Sequence, residues 1–209
     1  VNPRRSANRS PPRSPNPRHP SHESAPDNMT HPAHDARNIL FLCTGNSARS
    51  ILGEAVATLE SKGRLIGWSA GSTPTGRVHP IAAELVTRLG YPQHKLRSKR
   101  WDEFAAADAP QMDIIITVCD NAAGEVCPIW PGHPGTAHWG FPDPAAVQAS
   151  EAAQRQAFAE VLQGLTQRVR MLLALIEKNP EKFHNKQELS DDLRGIAKTA
   201  DRSANQTAG

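Results

Sequence analysis

The sequence predicts an α/β fold built on a four-stranded parallel sheet. Three observations carry that prediction. Short apolar runs alternate with longer segments of helical period between about residues 38 and 177. The runs are rich in β-branched residues and too short to be helices. Glycine and proline stand where one type of segment gives way to the other. Strands separated by helices pair in parallel through right-handed crossovers.

The elements follow in order. Asn38–Leu42 (NILFL) is a continuous apolar run, the mark of a strand buried on both faces. Ser47–Lys62 carries Ile51, Ala55, Val56 and Leu59 at helical spacing and is stopped by Gly63. Leu65–Ser69 is a second strand. Ile81–Leu89 is a helix opened by Pro80 and closed by Gly90. Met112–Val118 is a third strand with three consecutive isoleucines, and Thr136–Gly140 is a weaker fourth. Ser150–Glu177 is a long helix with Phe158, Val161, Leu162, Leu165, Val169, Leu172, Leu173 and Ile176 on one stripe.

Two polar ends flank this domain. Residues 1–37 hold eight of the 18 prolines and six arginines against three acids, with no lysine and no apolar period. Such a segment cannot bury enough surface to offset its chain entropy, so a disordered tail is expected. Without lysine or interleaved aromatics it does not read as a nucleic-acid arm. Met29, just before the ordered part, is an alternative start of translation. Residues 178–209 read as a polar C-terminal tail with at most a short helix around Glu188–Lys198.

Composition narrows the function classes. The chain has 209 residues, and 24 Lys+Arg against 21 Asp+Glu give a net charge of +3. No stretch approaches the roughly 18–20 consecutive apolar residues of a membrane span, and no secretory signal is expected. Three cysteines are too few and odd in number for a disulfide scaffold, which points to a reducing cytoplasm.

Sites in such a sheet lie beyond the carboxyl ends of the strands. Cys43 follows the first strand, Cys119 the third and Asp143 the fourth, so the three are expected to converge on one sheet edge. Cys43-Thr44-Gly45-Asn46-Ser47-Ala48-Arg49-Ser50 joins a strand to a helix N-terminus. A loop there turns successive N–H groups inward and forms a nest for a tetrahedral oxyanion. The same field is expected to lower the pKa of Cys43 and make it a nucleophile. Arg49 can fork two anion oxygens, Ser50 can donate to the sulfur, and Gly45 and Asn46 tolerate a positive φ. The absence of lysine excludes the nucleotide-binding GxxxxGK[ST] loop. The other reading is a buried cysteine in an ordinary turn.

Cys43–Ser50 resembles the C-x5-R-S phosphate loop of low-molecular-weight protein tyrosine phosphatases. It is still more similar to the loop of arsenate reductases built on that fold, and the resemblance spans about residues 38–176. It implies a flavodoxin-like three-layer sandwich. It also implies that Asp143, in the only Asp-Pro of the chain, is the general acid. Ala145 stands where tyrosine phosphatases commonly carry an aromatic, and Tyr91 is the only tyrosine, so protein dephosphorylation loses ground.

The segment Cys119–Pro128 decides between the two chemistries. A phosphatase needs one cysteine, whereas a reductase needs two electrons, which a thiol pair supplies. Resemblance to three-cysteine, thioredoxin-coupled arsenate reductases implies a relay. Cys43 attacks arsenate, Cys119 attacks Cys43, and Cys127 attacks Cys119, leaving a Cys119–Cys127 disulfide for thioredoxin or glutaredoxin. If residues 119–127 were helical the two cysteines would stand about 12 Å apart, against roughly 5.5–6 Å for a disulfide, so the segment is a loop or unwinds on oxidation. Other readings are two inert buried thiols, or a zinc site of Cys119, Cys127, His133 and His138, whose cysteine spacing is too wide for a knuckle.

Smaller features complete the site. The resemblance places a potassium ion on Asn46, Glu54 and Ser69, although Glu54 also reads as a solvated helix residue. No tightly bound cofactor is expected. Trp130, Trp139 and Phe141 are expected in the site wall, and His79, His94 and His133 in loops. The sequence therefore reads as an arsenate reductase. The alternatives are a low-molecular-weight phosphatase and a non-catalytic oxyanion or redox sensor.

Overall fold

A computed structural model describes residues 36–119 and 130–207. Apart from its last two residues, the segment expected to be disordered lies outside the described residues. Among the described residues nine labelled elements follow one another: β1 (Arg37–Cys43), α1 (Arg49–Glu60), β2 (Leu65–Gly71), α2 (Pro80–Arg88), α3 (Asp102–Ala105), β3 (Ile114–Thr117), β4 (Gly135–His138), α4 (Glu151–Lys178) and α5 (Lys186–Thr207), with a 3₁₀ turn at Pro144–Ala146 between β4 and α4. The strands form one sheet in the order β2-β1-β3-β4, with every pair parallel.

The alternation of β1 builds both layers around the sheet. Ile39, Phe41 and Cys43 join Ile114 and Ile116 under α1, α2 and α4, in a core completed by Leu52, Val56, Val86, Phe158 and Leu165. Leu40, Leu42 and Ile115 face the other way, onto Trp101, Phe104, Met112 and Trp130. A strand that fills both cores has no polar face, which is why its sequence is a continuous apolar run. The long amphipathic helix appears as expected, with Ser150 accepting a hydrogen bond from the Ala153 N–H as its N-cap.

The C-terminal segment differs from expectation. It is a 22-residue helix, α5, not a polar tail with a short helix. Leu189, Leu193, Ile196 and Ala200 recur at helical spacing and are buried. They are sparse among charged residues, so composition conceals them. Their partner is β4, the edge strand. The Thr136 N–H donates to Ser190 Oγ at 2.9 Å, and the Trp139 indole N–H donates to the Leu193 carbonyl at 3.0 Å. An open strand edge is thereby covered by a helix. Leu193→Ala should destabilise the protein by about 2–5 kcal/mol in chemical denaturation. A loss under about 0.5 kcal/mol, the range of surface substitutions, would show that α5 is not part of the core.

Candidate oxyanion and thiol site

Because all strands run in parallel, the carboxyl ends of β1, β3 and β4 emerge on one side, and the loops that follow them meet there. Residues 44–48 form a tight turn into α1. Its carbonyls are tied outward by the segment that follows β2. The Thr73 N–H donates to the Thr44 carbonyl, Thr75 to Gly45 and His79 to Ser47, at 3.0, 2.9 and 2.8 Å. A trans peptide carries its N–H opposite its carbonyl. Anchoring these three carbonyls outward therefore turns the N–H groups of Gly45, Asn46 and Ala48 to the inside. The Asn46 N–H shows the result, since it points at Cys43 Sγ from 3.2 Å. Asn46 alone takes a positive φ in this turn, at 41°. Gly45 does not, and its lack of a side chain serves space: a Cβ there would stand 3.3 Å from Thr75 Cγ2.

Cys43 is buried at the end of β1. Ser50 Oγ lies 3.0 Å from its sulfur and accepts from Asn46 Nδ2 at 2.9 Å, which leaves the hydroxyl proton for the sulfur. Burial nevertheless pushes the Cys43 thiol above its ordinary value, against the pull of Ser50 and the Asn46 N–H. This corrects the expected lowering: desolvation of a sulfur sealed in the loop outweighs the hydrogen bonds that would hold it ionised. Cys119 is buried too, with its sulfur 3.7 Å from Thr44 Oγ1. Cys127 lies outside the described residues, and with it the loop-or-helix expectation for residues 119–127.

Arg49 and Asp143 meet at the mouth of the turn. Arg49 Nη1 donates to the Phe141 carbonyl at 2.9 Å, and Nη2 stands 3.3 Å from Asp143 Oδ2. The Asp143 carboxylate also accepts from the Ala145 N–H, which fixes it at the start of the 3₁₀ turn. Cys43, Cys119, Arg49 and Asp143, separate in sequence, thus share one sheet edge. Phe141 reaches the site through its carbonyl. Trp130 and Trp139 are not wall residues: they sit in the two cores on opposite faces of the sheet. Trp139 lies under α5. His79 is more than a loop residue. Its Nδ1 caps α2 by accepting from the Ile81 N–H, its ring stacks on Phe158, and burial lowers its pKa against the opposing field of Asp143. His94 and His133 are exposed.

Behind the turn, Ser69 bonds Glu54, while Asn46 meets the backbone of Lys99. Glu54 is buried, not solvated. Sequence reading missed the residue among them. Lys99 Nζ stands 3.2 Å from Glu54 Oε2 and 3.2 Å from Ser69 Oγ, while its backbone N–H donates to Asn46 Oδ1 at 2.7 Å. Tyr91 donates to Glu54 Oε1 at 2.6 Å, and Ser69 donates to Oε2. The carboxylate already has its cation, an ammonium, so the donor set does not fit a potassium ion as well. Lys99 sits between two exposed arginines in a loop, and no periodicity marks it for burial. Among the described residues no group of three or more His, Cys, Asp or Glu could hold a metal ion, and His138 Nδ1 is 2.9 Å from Thr117 Oγ1.

Three measurements check these assignments. Alkylation of Cys43 by iodoacetamide should keep accelerating as pH rises past the free-thiol value of about 8.5, because the raised pKa keeps the thiolate a minority below it. A rate that levels off below neutral pH would contradict the burial argument. Lys99→Met should cost about 3–5 kcal/mol by leaving Glu54 buried and unpaired, and Tm of the unsubstituted protein should be equal in potassium and sodium chloride. A potassium-specific rise in Tm would show that a metal ion competes for the site.

Known proteins place this arrangement. The sequence matches the family described as low molecular weight phosphotyrosine protein phosphatase over residues 38–182. It is 32% identical over 134 residues to an arsenate reductase of Bacillus licheniformis, covering 64% of this chain and 93% of that one. It is 34% identical over 123 residues to an arsenate reductase of Bacillus subtilis, covering 59% and 85%. Among solved structures, an arsenate reductase in the oxidized state superposes with a TM-score of 0.54 at 25% identity, over 67% of this chain and 98% of that one. The family match runs from the first strand past the end of α4, more than half of the chain, and the chain belongs to the low molecular weight phosphotyrosine protein phosphatase family.

Proposed function

We propose that the protein reduces arsenate to arsenite, using Cys43, Cys119 and Cys127 as a thiol relay. The observation that carries this reading is the second thiol. Cys119 lies against Thr44, the first residue of the turn that wraps Cys43, so two buried thiols share one oxyanion site. Hydrolysis of a phosphate ester has no use for the second; reduction by two electrons requires it. The similarity to the arsenate reductases of two Bacillus species supports the same substrate.

The chemistry balances with the groups present. The inward N–H groups and the Arg49 fork hold the oxyanion. The Cys43 sulfur attacks arsenic, the thiol proton joins an arsenate hydroxyl through Asp143, and water leaves. A neutral thiol beside a doubly charged anion avoids like-charge repulsion, so the raised pKa suits a proton that travels with the reaction. Cys119 then attacks the Cys43 sulfur. The electron pair of the S–As bond stays on arsenic, which falls from As(V) to As(III) and leaves as arsenite. Cys127 attacks Cys119 and returns Cys43 as a thiol. The Cys119–Cys127 disulfide is reduced by a dithiol partner, thioredoxin or a glutaredoxin system.

Continuous arsenite production is expected with thioredoxin, thioredoxin reductase and NADPH, or with a glutaredoxin system in their place. Cys119→Ser should reduce turnover to the background while sparing any hydrolysis of a small phosphate ester. Arsenite production that survives Cys119→Ser, or phosphatase activity without arsenite in either donor system, would overturn the reductase reading.

A further inference from the structure

The Arg49 fork is held by the segment Phe141–Asp143 at two points, a carbonyl and a carboxylate. The carbonyl can aim the fork only if Phe141 is itself fixed, and the Phe141 ring shows how. It lies on α4 beneath a buried arginine: the guanidinium carbon of Arg168 stands 4.2 Å from the ring centroid. Gly164 makes room for the ring, since a Cβ there would come within 2.6 Å of its edge.

Arg168 is 5% exposed, an unusual burial for this side chain. Its Nη1 donates to the Gly164 carbonyl at 3.3 Å, and its Nη2 donates to Asp201 of α5. Burial lowers its pKa, and Asp201 opposes that. An apolar residue of similar length would fill the same space without the cost of desolvating a charge. What a guanidinium adds is a planar face for the ring, at an angle set by the carboxylate of Asp201.

We propose that Arg168 and Asp201 are positioning residues for the oxyanion site: Asp201 orients Arg168, Arg168 stacks Phe141, and the Phe141 carbonyl aims Arg49. Asp201 belongs to α5, which lies past residue 182, where the match to the family ends. The added helix therefore reaches the anion-binding turn as well as covering the sheet edge. The proposal rests on Arg49 acting as the oxyanion fork.

The test uses inorganic phosphate as the probe, read by its protection of Cys43 from iodoacetamide in the reduced full-length protein, beside KM and kcat for arsenate. R168M is expected to weaken phosphate binding about fivefold, which is about 1 kcal/mol or half of a desolvated cation–π contact. KM for arsenate should rise by the same factor, with kcat much less changed. D201N alters a carboxylate that is 61% exposed, so it leaves folding intact and should shift both readouts the same way by a smaller factor. In the R49K background, R168M should cause no further loss, because its effect passes through Arg49. Phosphate binding unchanged in R168M and D201N, or an equal loss in the R49K background, overturns the proposal alone. Phosphate binding unchanged in R49K overturns the fork on which it rests.

Discussion

Everything at this site depends on three peptide carbonyls being tied outward. The hydrogen bonds from Thr73, Thr75 and His79 to Thr44, Gly45 and Ser47 turn a short stretch of backbone inside out relative to its neighbours. Without them the N–H groups would have no reason to point at one centre. They would be free to pair with water or with one another. The nest is thus a property of two loops. The loop after β2 carries no catalytic group, yet its three backbone N–H groups orient the first. A parallel sheet makes this possible, because β1 and β2 end side by side, with Cys43 in register with Gly71.

A second layer holds that turn from behind. Lys99, Glu54, Ser69 and Tyr91 form a buried polar cluster joined to Cys43 through Asn46 and Ser50. Its charges cancel locally, so the cluster adds little net field to the sulfur. Its contribution is geometric: Asn46 is held by its Oδ1 on one side and its Nδ2 on the other, in a left-handed conformation that a more ordinary side chain resists. Desolvation then dominates at the sulfur, which is why a cysteine ringed by donors still has a raised pKa.

Much of this was legible in the sequence. Local features were the most readable: the NILFL strand, the turn from Cys43 to Ser50 and the stripe of α4 all follow from patterns within a dozen residues. The convergence of Cys43, Cys119 and Asp143 followed from one global rule about parallel strands. What escaped depends on contacts across the chain. Lys99 is buried only because Glu54, on a different element, needs a cation. Asp201 matters only through Arg168. The apolar positions of α5 are too few to dominate a polar window, and their meaning comes from the open edge of β4. The pKa of Cys43 was misjudged because sequence shows which donors are near but not how thoroughly water is excluded.

The cover of that edge comes late in the chain. Some 50 residues separate β4 from the first buried leucine of α5. At roughly 5–20 residues per second, a ribosome needs about 3–10 seconds to deliver them. Throughout that interval a nascent chain that has paired its four strands still presents unpaired β4 backbone and the apolar face around Trp139. Crowded polysomes bring such edges within reach of one another. For this chain the hazard of synthesis is therefore concentrated between β4 and α5, and a messenger cut short before α5 would yield a sheet with nothing to close it.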